Sequence, residues 1–218
     1  LPLRDFKAVA AACEATINDL LLATCSGALR QYLAGHHELP KRSLVAAVPL
    51  SLRESGESAT GNQATMLPCT LGTDQKTPRA RLAAIQAGMN KVKGTKSSFR
   101  DLIPTDYPSL GSPWLMTGLA QLYARSRLAD RIPLPANLVI SNVPGPPVTL
   151  YLAGARMTTY FPVSIVVHGL ALNITVHSYD GKLHLGLIAC RKNVPDLQKL
   201  VAALYESFDE LKAMAASE

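Results

Sequence analysis

The sequence predicts an α/β fold: a two-layer sandwich in which helices pack on one mixed β-sheet. Three observations predict it. Apolar residues recur at spacings of three and four from Ile17 to Tyr32 and again from Leu197 to Leu211, the period of helices with one buried face. Residues 169–178 (GLALNITVHS) and 182–190 (KLHLGLIAC) have strand character, the first alternating at period two, and they flank Asp180-Gly181, a strong hairpin turn. Helical and strand patterns are interspersed along the chain, which favours one sheet covered by helices.

Each element has a local reason. Residues 5–13 are Ala-rich, with Asp5 near the start of a short helix. Thr16, followed three residues later by Asp19, caps a long helix whose apolar stripe is Ile17, Leu20, Leu21, Cys25, Ala28, Leu29 and Tyr32, and Gly35 stops it. Residues 44–52 and 63–71 read as strands around a polar loop at 54–61 (ESGESATG). Pro78 opens a helix through Leu82, Ile85, Met89 and Val92 to about residue 96. Pro104, Pro108 and Pro113 make 101–113 a loop, and 114–128 reads as a helix. Residues 137–143 (NLVISNV) form a strand that Pro144-Gly145-Pro146-Pro147 terminates. Residues 149–152 and 156–161 are short strands, then comes the hairpin, and a helix over 195–216 closes the chain. There is no internal repeat and no Pro/Ser-rich linker, so residues 1–218 read as one domain.

The bulk numbers exclude several classes. With 48% apolar and 17% charged residues, a chain of 218 residues buries a real core and is no disordered tail. No run approaches about 18 uninterrupted apolar residues, so no transmembrane helix is expected, and any membrane contact would be peripheral. The net charge of +6 favours anionic partners. Lys and Arg cluster between Arg79 and Arg100 and at Arg125, Arg127 and Arg131; these read either as solvated helix faces or as surfaces for phosphate or membrane. Aromatics at 6% are too sparse for a nucleic-acid reader with stacking rings, so no nucleic-acid partner is expected. Cys13, Cys25, Cys69 and Cys190 form no C-x-x-C pair and have no His at metal spacing. No metal site is expected; the thiols read as buried and reduced in a cytoplasmic protein.

No nucleophile elbow, P-loop or dinucleotide fingerprint is present, so no self-contained active site appears. His36-His37 follows Gly35 in a polar segment, with no carboxylate spaced to orient it. Asp19 suits the first turn of its helix, whereas Asn18 is less expected there and is a candidate to point its amide at another element. In Ser141-Asn142-Val143-Pro144-Gly145-Pro146 a β-branched strand ends in two small polar residues and a stiff turn. That suits either a strand terminator or hydrogen-bond donors aimed at a developing oxyanion. His168, His177 and His184 lie on or near the last strands and read as surface histidines; His177 and His184 flank the hairpin turn, able to face each other across it.

Five strings, in order along nearly the whole chain, carry a resemblance: TINDLLLATCSGALRQYL (16–33), VPLSLR (48–53), GNQ (61–63), NLVISNVPGP (137–146) and LNITVHSYDGKLHLGLIAC (172–190). Together they resemble the C-terminal region of the bacterial wax ester synthase/diacylglycerol acyltransferases. The resemblance implies a chloramphenicol acetyltransferase-like half of a two-domain enzyme with its active site in a tunnel between halves. It implies that Ser141 and Asn142 line the tunnel and stabilise an oxyanion, that Asn18, Asp19 and Gln63 also border it, and that Pro144, Gly145 and Pro146 form the structural turn. Arg79, Arg81, Lys91 and Lys93 are candidates to meet CoA or lipid phosphates. The family's catalytic motif is His-His-x-x-x-Asp-Gly. Here His36-His37 is followed by Lys41 and Arg42 where Asp and Gly would stand, so the general base is expected in a missing N-terminal half and no catalytic residue in this chain.

The expected activity of the whole is transfer of a fatty acyl group from acyl-CoA, a substrate rather than a bound cofactor, to a long-chain alcohol or diacylglycerol. The expected partners are the N-terminal half, these substrates, and a peripheral membrane or lipid-droplet surface. The chain alone is expected to be inactive. A start at Leu1-Pro2-Leu3 without Met fits a piece of a longer protein. The competing reading is a non-catalytic lipid-binding or assembly module of the same fold.

Overall fold

The structure, a computed structural model, describes residues 1–51, 64–94, 136–166 and 169–217, together with Gly118 and Gln121. The expected loops at 54–61 and 101–113, the helix at 114–128, Gln63, His168 and the basic residues Arg125, Arg127 and Arg131 lie outside the described residues.

Helices α1 (Leu3–Ala12) and α2 (Ile17–Gly35) lead into strands β1 (Val45–Ser51) and β2 (Ala64–Thr70), then α3 (Pro78–Gly94) and β3 (Leu138–Val143). The short strands β4 (Tyr151–Leu152) and β5 (Ala155–Arg156) follow, then β6 (Leu172–Tyr179), β7 (Lys182–Ala189) and α4 (Leu197–Ala216). The main sheet runs β2-β1-β3-β6-β7, with β4 and β5 forming a separate pair. β1 and β3 are parallel, as are β3 and β6, while β1 with β2 and β6 with β7 are antiparallel, so the sheet is mixed as expected.

Helices α1 to α4 share one face of this sheet. Ala46 and Val48, Leu138 and Ile140, Leu172, Ile174 and Val176, and Leu183 occupy one side of their strands and join Phe6, Leu20, Leu21, Leu82, Ile85, Leu200, Leu204 and Phe208 in a single core. The rings of Phe6 and Phe208 stack at 4.1 Å. α2 is the middle of this layer, buried at every residue from Asp19 to Leu29. Its start is the capping box read from sequence: Asp19 N–H donates to Thr16 Oγ1 at 3.1 Å, and Thr16 N–H donates to Asp19 Oδ2 at 3.1 Å.

The hairpin between β6 and β7 turns on Asp180 (φ 46°) and Gly181 (φ 74°), two successive left-handed residues as a type I′ turn requires. Residues 157–166 correct the expectation of a strand over 156–161. Beyond the two-residue β5 they form no regular structure and cross the face of the sheet opposite α1–α4, against Asn173, His177, Tyr179 and His184. Pro162 has no N–H to give a ladder, and this stretch is held by side chains instead: Tyr179 Oη donates to Met157 O (2.8 Å) and Asn173 Nδ2 to Ile165 O (3.2 Å). The cysteines are also corrected in part. All four are free, but only Cys25 and Cys69 are buried, while Cys13 and Cys190 are half-buried. Among the described residues no single helix is long and apolar enough to cross a membrane.

The layer of helices closes at Gly27. A Cβ there would overlap Ser207 Oγ of α4 and come within 3.2 Å of Arg81 Nη2 of α3. Gly27→Ala is therefore expected to destabilise the fold by about 1–3 kcal/mol through overpacking. Chemical denaturation checks it, and Gly27→Ala combined with Ser207→Gly should recover part of the loss. Additive effects of the two substitutions would show that the helices do not meet there.

Candidate functional site

The face of the sheet opposite α1–α4 carries a polar row on β6. Period two puts Asn173, Thr175, His177 and Tyr179 of β6 on it, between the core residues Leu172, Ile174 and Val176. Ser141 of β3 lies beside Thr175, and His177 lies opposite His184 of β7, so the two histidines do face each other across the hairpin. Thr175 Oγ1 donates to Asn173 Oδ1 at 2.9 Å, linking neighbours on this face. Tyr160 lies over His177 at 4.6 Å between ring centroids, and Phe161 meets His184 edge-on at 5.7 Å.

The two residues expected to work together at the end of β3 are separated by this geometry. Asn142 follows Leu138 and Ile140 onto the helix side, whereas Ser141 goes with Val139 to the polar face. Both are half-buried, and neither makes a side-chain hydrogen bond among the described residues. The Pro144-Gly145-Pro146 turn is pinned to β6: Gly145 N–H donates to Ser178 Oγ at 3.0 Å. The backbones meet so closely that a Cβ at Gly145 would overlap the Ser178 carbonyl and the His177 ring, so only glycine fits.

Asn18 and Asp19 sit at the start of α2. Asp19 is buried with its Oδ2 in the capping box and its Oδ1 without a partner among the described residues. It lies near Cys69 of β2, whose thiol is pushed up to about 11, by burial first and by the Asp19 carboxylate second. Cys25 is pushed up to about 12 by burial alone. Neither thiol is a nucleophile at neutral pH.

The basic set on α3 divides. Arg79 and Lys91 are exposed, and Lys93 lies in the last turn of the helix. Arg81 is withdrawn from the surface. Only 4% exposed, it donates to Glu210 Oε2 of α4 (Nη2, 3.0 Å) and to Lys76 O (Nη1, 3.0 Å). Two residues along a helix turn about 200°, which is why Arg79 and Arg81 point apart. Burial draws the Arg81 guanidinium below its usual range, and the facing Glu210 opposes this.

His36 is at the end of α2, not in an open loop. Its ring packs on Tyr32 at 4.6 Å and its Nε2 lies 3.8 Å from Asp196 Oδ2, a carboxylate distant in sequence. His184 corrects the expectation of a surface residue: it is buried, its Nε2 has no partner among the described residues, and burial holds its imidazole below the usual histidine range. Sequence reasoning singles out His177 but not the polar row on β6 to which it belongs, although the alternation in LNITVHSY that identifies the strand also marks that row.

The fold is an α/β sandwich domain with α1–α4 on one face of a mixed sheet. The epimerization domain of the third module of tyrocidine synthetase B superposes over 100% of this chain and 47% of its own with a TM-score of 0.60; at 12% identity, that shows the fold alone. The family model of the WS/DGAT C-terminal domain matches residues 60–212, and the chain belongs to that family. The wax ester synthase/diacylglycerol acyltransferase of Marinobacter aquaeolei is 32% identical with a TM-score of 0.76, matching 99% of this chain and 48% of that one. A putative diacylglycerol O-acyltransferase of Mycobacterium tuberculosis is 39% identical over 213 residues, 97% of this chain and 42% of its own length. An O-acyltransferase of Acinetobacter baylyi is 39% identical over 98% of this chain and 45% of its own. The chain thus spans about half the length of the relatives it matches.

Arg81→Ala is expected to lower stability by about 1–3 kcal/mol, through lost packing of its stem and two lost hydrogen bonds. Thermal melting checks it; an unchanged melting temperature would mean that the α3–α4 ion pair contributes nothing.

Proposed function

We propose that this chain is the C-terminal domain of an acyl-CoA-dependent O-acyltransferase, and that the face of its sheet opposite α1–α4 lines the reaction tunnel. The observation that carries the reading is Ser141. It stands on that polar face at the end of β3, followed by a turn pinned to β6, in a chain of the WS/DGAT family. The acceptor is a long-chain alcohol or diacylglycerol, and acyl-CoA is the donor. A histidine of the N-terminal half takes the proton of the acceptor hydroxyl. The alkoxide oxygen attacks the thioester carbonyl, and a hydrogen bond from Ser141 stabilises the oxyanion of the tetrahedral intermediate. Collapse breaks the C–S bond, giving the ester and the CoA thiolate, which takes up the proton. No covalent enzyme intermediate is needed.

Asn142, on the other side of β3, contributes at the strand end. Asn18 and Asp19, at the start of α2 on the helix side, brace the tunnel wall from behind, and Arg79, Lys91 and Lys93 meet phosphates of CoA or of a lipid surface. The exposed Val148, Tyr151, Leu152, Phe161, Val163 and Ile165 are the apolar surface that the N-terminal half covers. In the complete enzyme, Ser141→Ala is expected to lower turnover by roughly 10²–10³-fold with folding intact, and Asn142→Ala by less. The purified 218-residue chain is expected to transfer no acyl group. Steady-state assays with a fatty acyl-CoA and hexadecanol or a diacylglycerol check all three. Wild-type turnover in Ser141→Ala would make this serine structural.

A further inference from the structure

The end of β6 does more than close a hairpin. Four consecutive residues there hold the excursion that follows β3. The His177 ring and the Ser178 carbonyl pack on Gly145 so closely that no side chain fits, and Ser178 Oγ accepts the Gly145 N–H at 3.0 Å. Tyr179, 1% exposed, accepts Leu150 N–H at its hydroxyl (2.9 Å), and the same hydroxyl donates to Met157 O (2.8 Å). One oxygen thereby anchors to β6 both ends of the β4–β5 arm, which a bond from Met157 N–H to Leu150 O (2.9 Å) closes. Asp180 accepts from Thr149 Oγ1 (3.3 Å) and from Arg156 Nη2 (2.9 Å), on the same two sides of that arm. The arm itself carries the exposed Tyr151 and Leu152, the latter 82% exposed, so it projects without apolar support of its own. Its direction is set by these bonds.

We infer that Ser178 and Tyr179 are positioning residues for acyl transfer: Ser178 fixes the turn that follows Ser141, and Tyr179 fixes the arm beyond it. Neither touches a reacting atom. This rests on the reading of Ser141 as an oxyanion donor, and it adds the residues that hold that donor in place. A buried strand end is a rigid support, and small displacements of a donor from the developing charge are costly to the chemical step.

The test uses the complete enzyme. Ser178→Ala is expected to lower kcat roughly tenfold, the equivalent of about 1.4 kcal/mol of transition-state stabilisation, with KM for both substrates within about twofold and the melting temperature nearly unchanged. Ser178→Thr, which keeps the hydroxyl, should restore most of kcat. Tyr179→Phe keeps the buried ring and removes only the bridging oxygen; it should speed hydrogen exchange at the Leu150 amide and lower kcat in the same way. Wild-type kcat in Ser178→Ala, no rescue by Ser178→Thr, or unchanged exchange at Leu150 in Tyr179→Phe would each overturn the inference. So would a fall in melting temperature or a rise in KM with kcat preserved. An enzyme whose wild type transfers no acyl group would instead overturn the proposed function, so the two failures are separable.

Discussion

α2 has to be buried on all sides, and the rest of the molecule is arranged around that constraint. One side lies on the sheet, and the flanks meet α3 and α4. A helix in that position can carry few polar groups, and those it carries are handled locally. Asp19 is held by the capping box, and Thr24 Oγ1 donates to the Leu20 carbonyl one turn back at 2.9 Å. Its small residues, Ala23, Ser26, Gly27 and Ala28, let the neighbouring helices approach. Gly27 is the limiting point, where Ser207 and Arg81 arrive together. Moving α2 would shift the sheet face beneath it and the strand ends that the sheet carries.

With every described long helix on one side, the other side of the sheet carries, among the described residues, one irregular crossing segment. Asymmetry of this kind is what makes a site. The helix side excludes water and fixes β3 and β6 in register, and the polar side keeps hydroxyl, amide and imidazole groups on a rigid surface. The crossing segment covers part of it with Tyr160 and Phe161. The same segment exposes Val163 and Ile165, which no described residue of this chain covers.

How much of this was legible in the sequence depended on the range of the interactions. α2, its cap and its end were readable because the signals lie within a few residues of each other. The β6–β7 hairpin was readable because Asp180-Gly181 supplies the φ > 0 pair that the turn demands. The order β2-β1-β3-β6-β7 was not, since no local pattern says that β3 slots between β1 and β6. The opposite facing of Ser141 and Asn142 follows from the strand period, but only the structure shows which side the helices take. Arg81 read as a surface cation because its partner, Glu210, stands 129 residues away. Residues 157–166 read in part as strand because β-branched and aromatic residues favour strands, yet their neighbours on the sheet offer side chains rather than a free ladder.

The burial of Cys25 and Cys69 has a consequence for the life of the molecule in solution. Both thiols sit where the helices meet the sheet, and both are held far from ionisation. An alkylating or oxidising reagent can reach them only when that contact opens. The rate at which they react is therefore a clock for excursions of the core, set by the free energy of local opening rather than by the chemistry of sulfur. The half-buried Cys13 and Cys190 run without that gate, and the same chain carries its own reference.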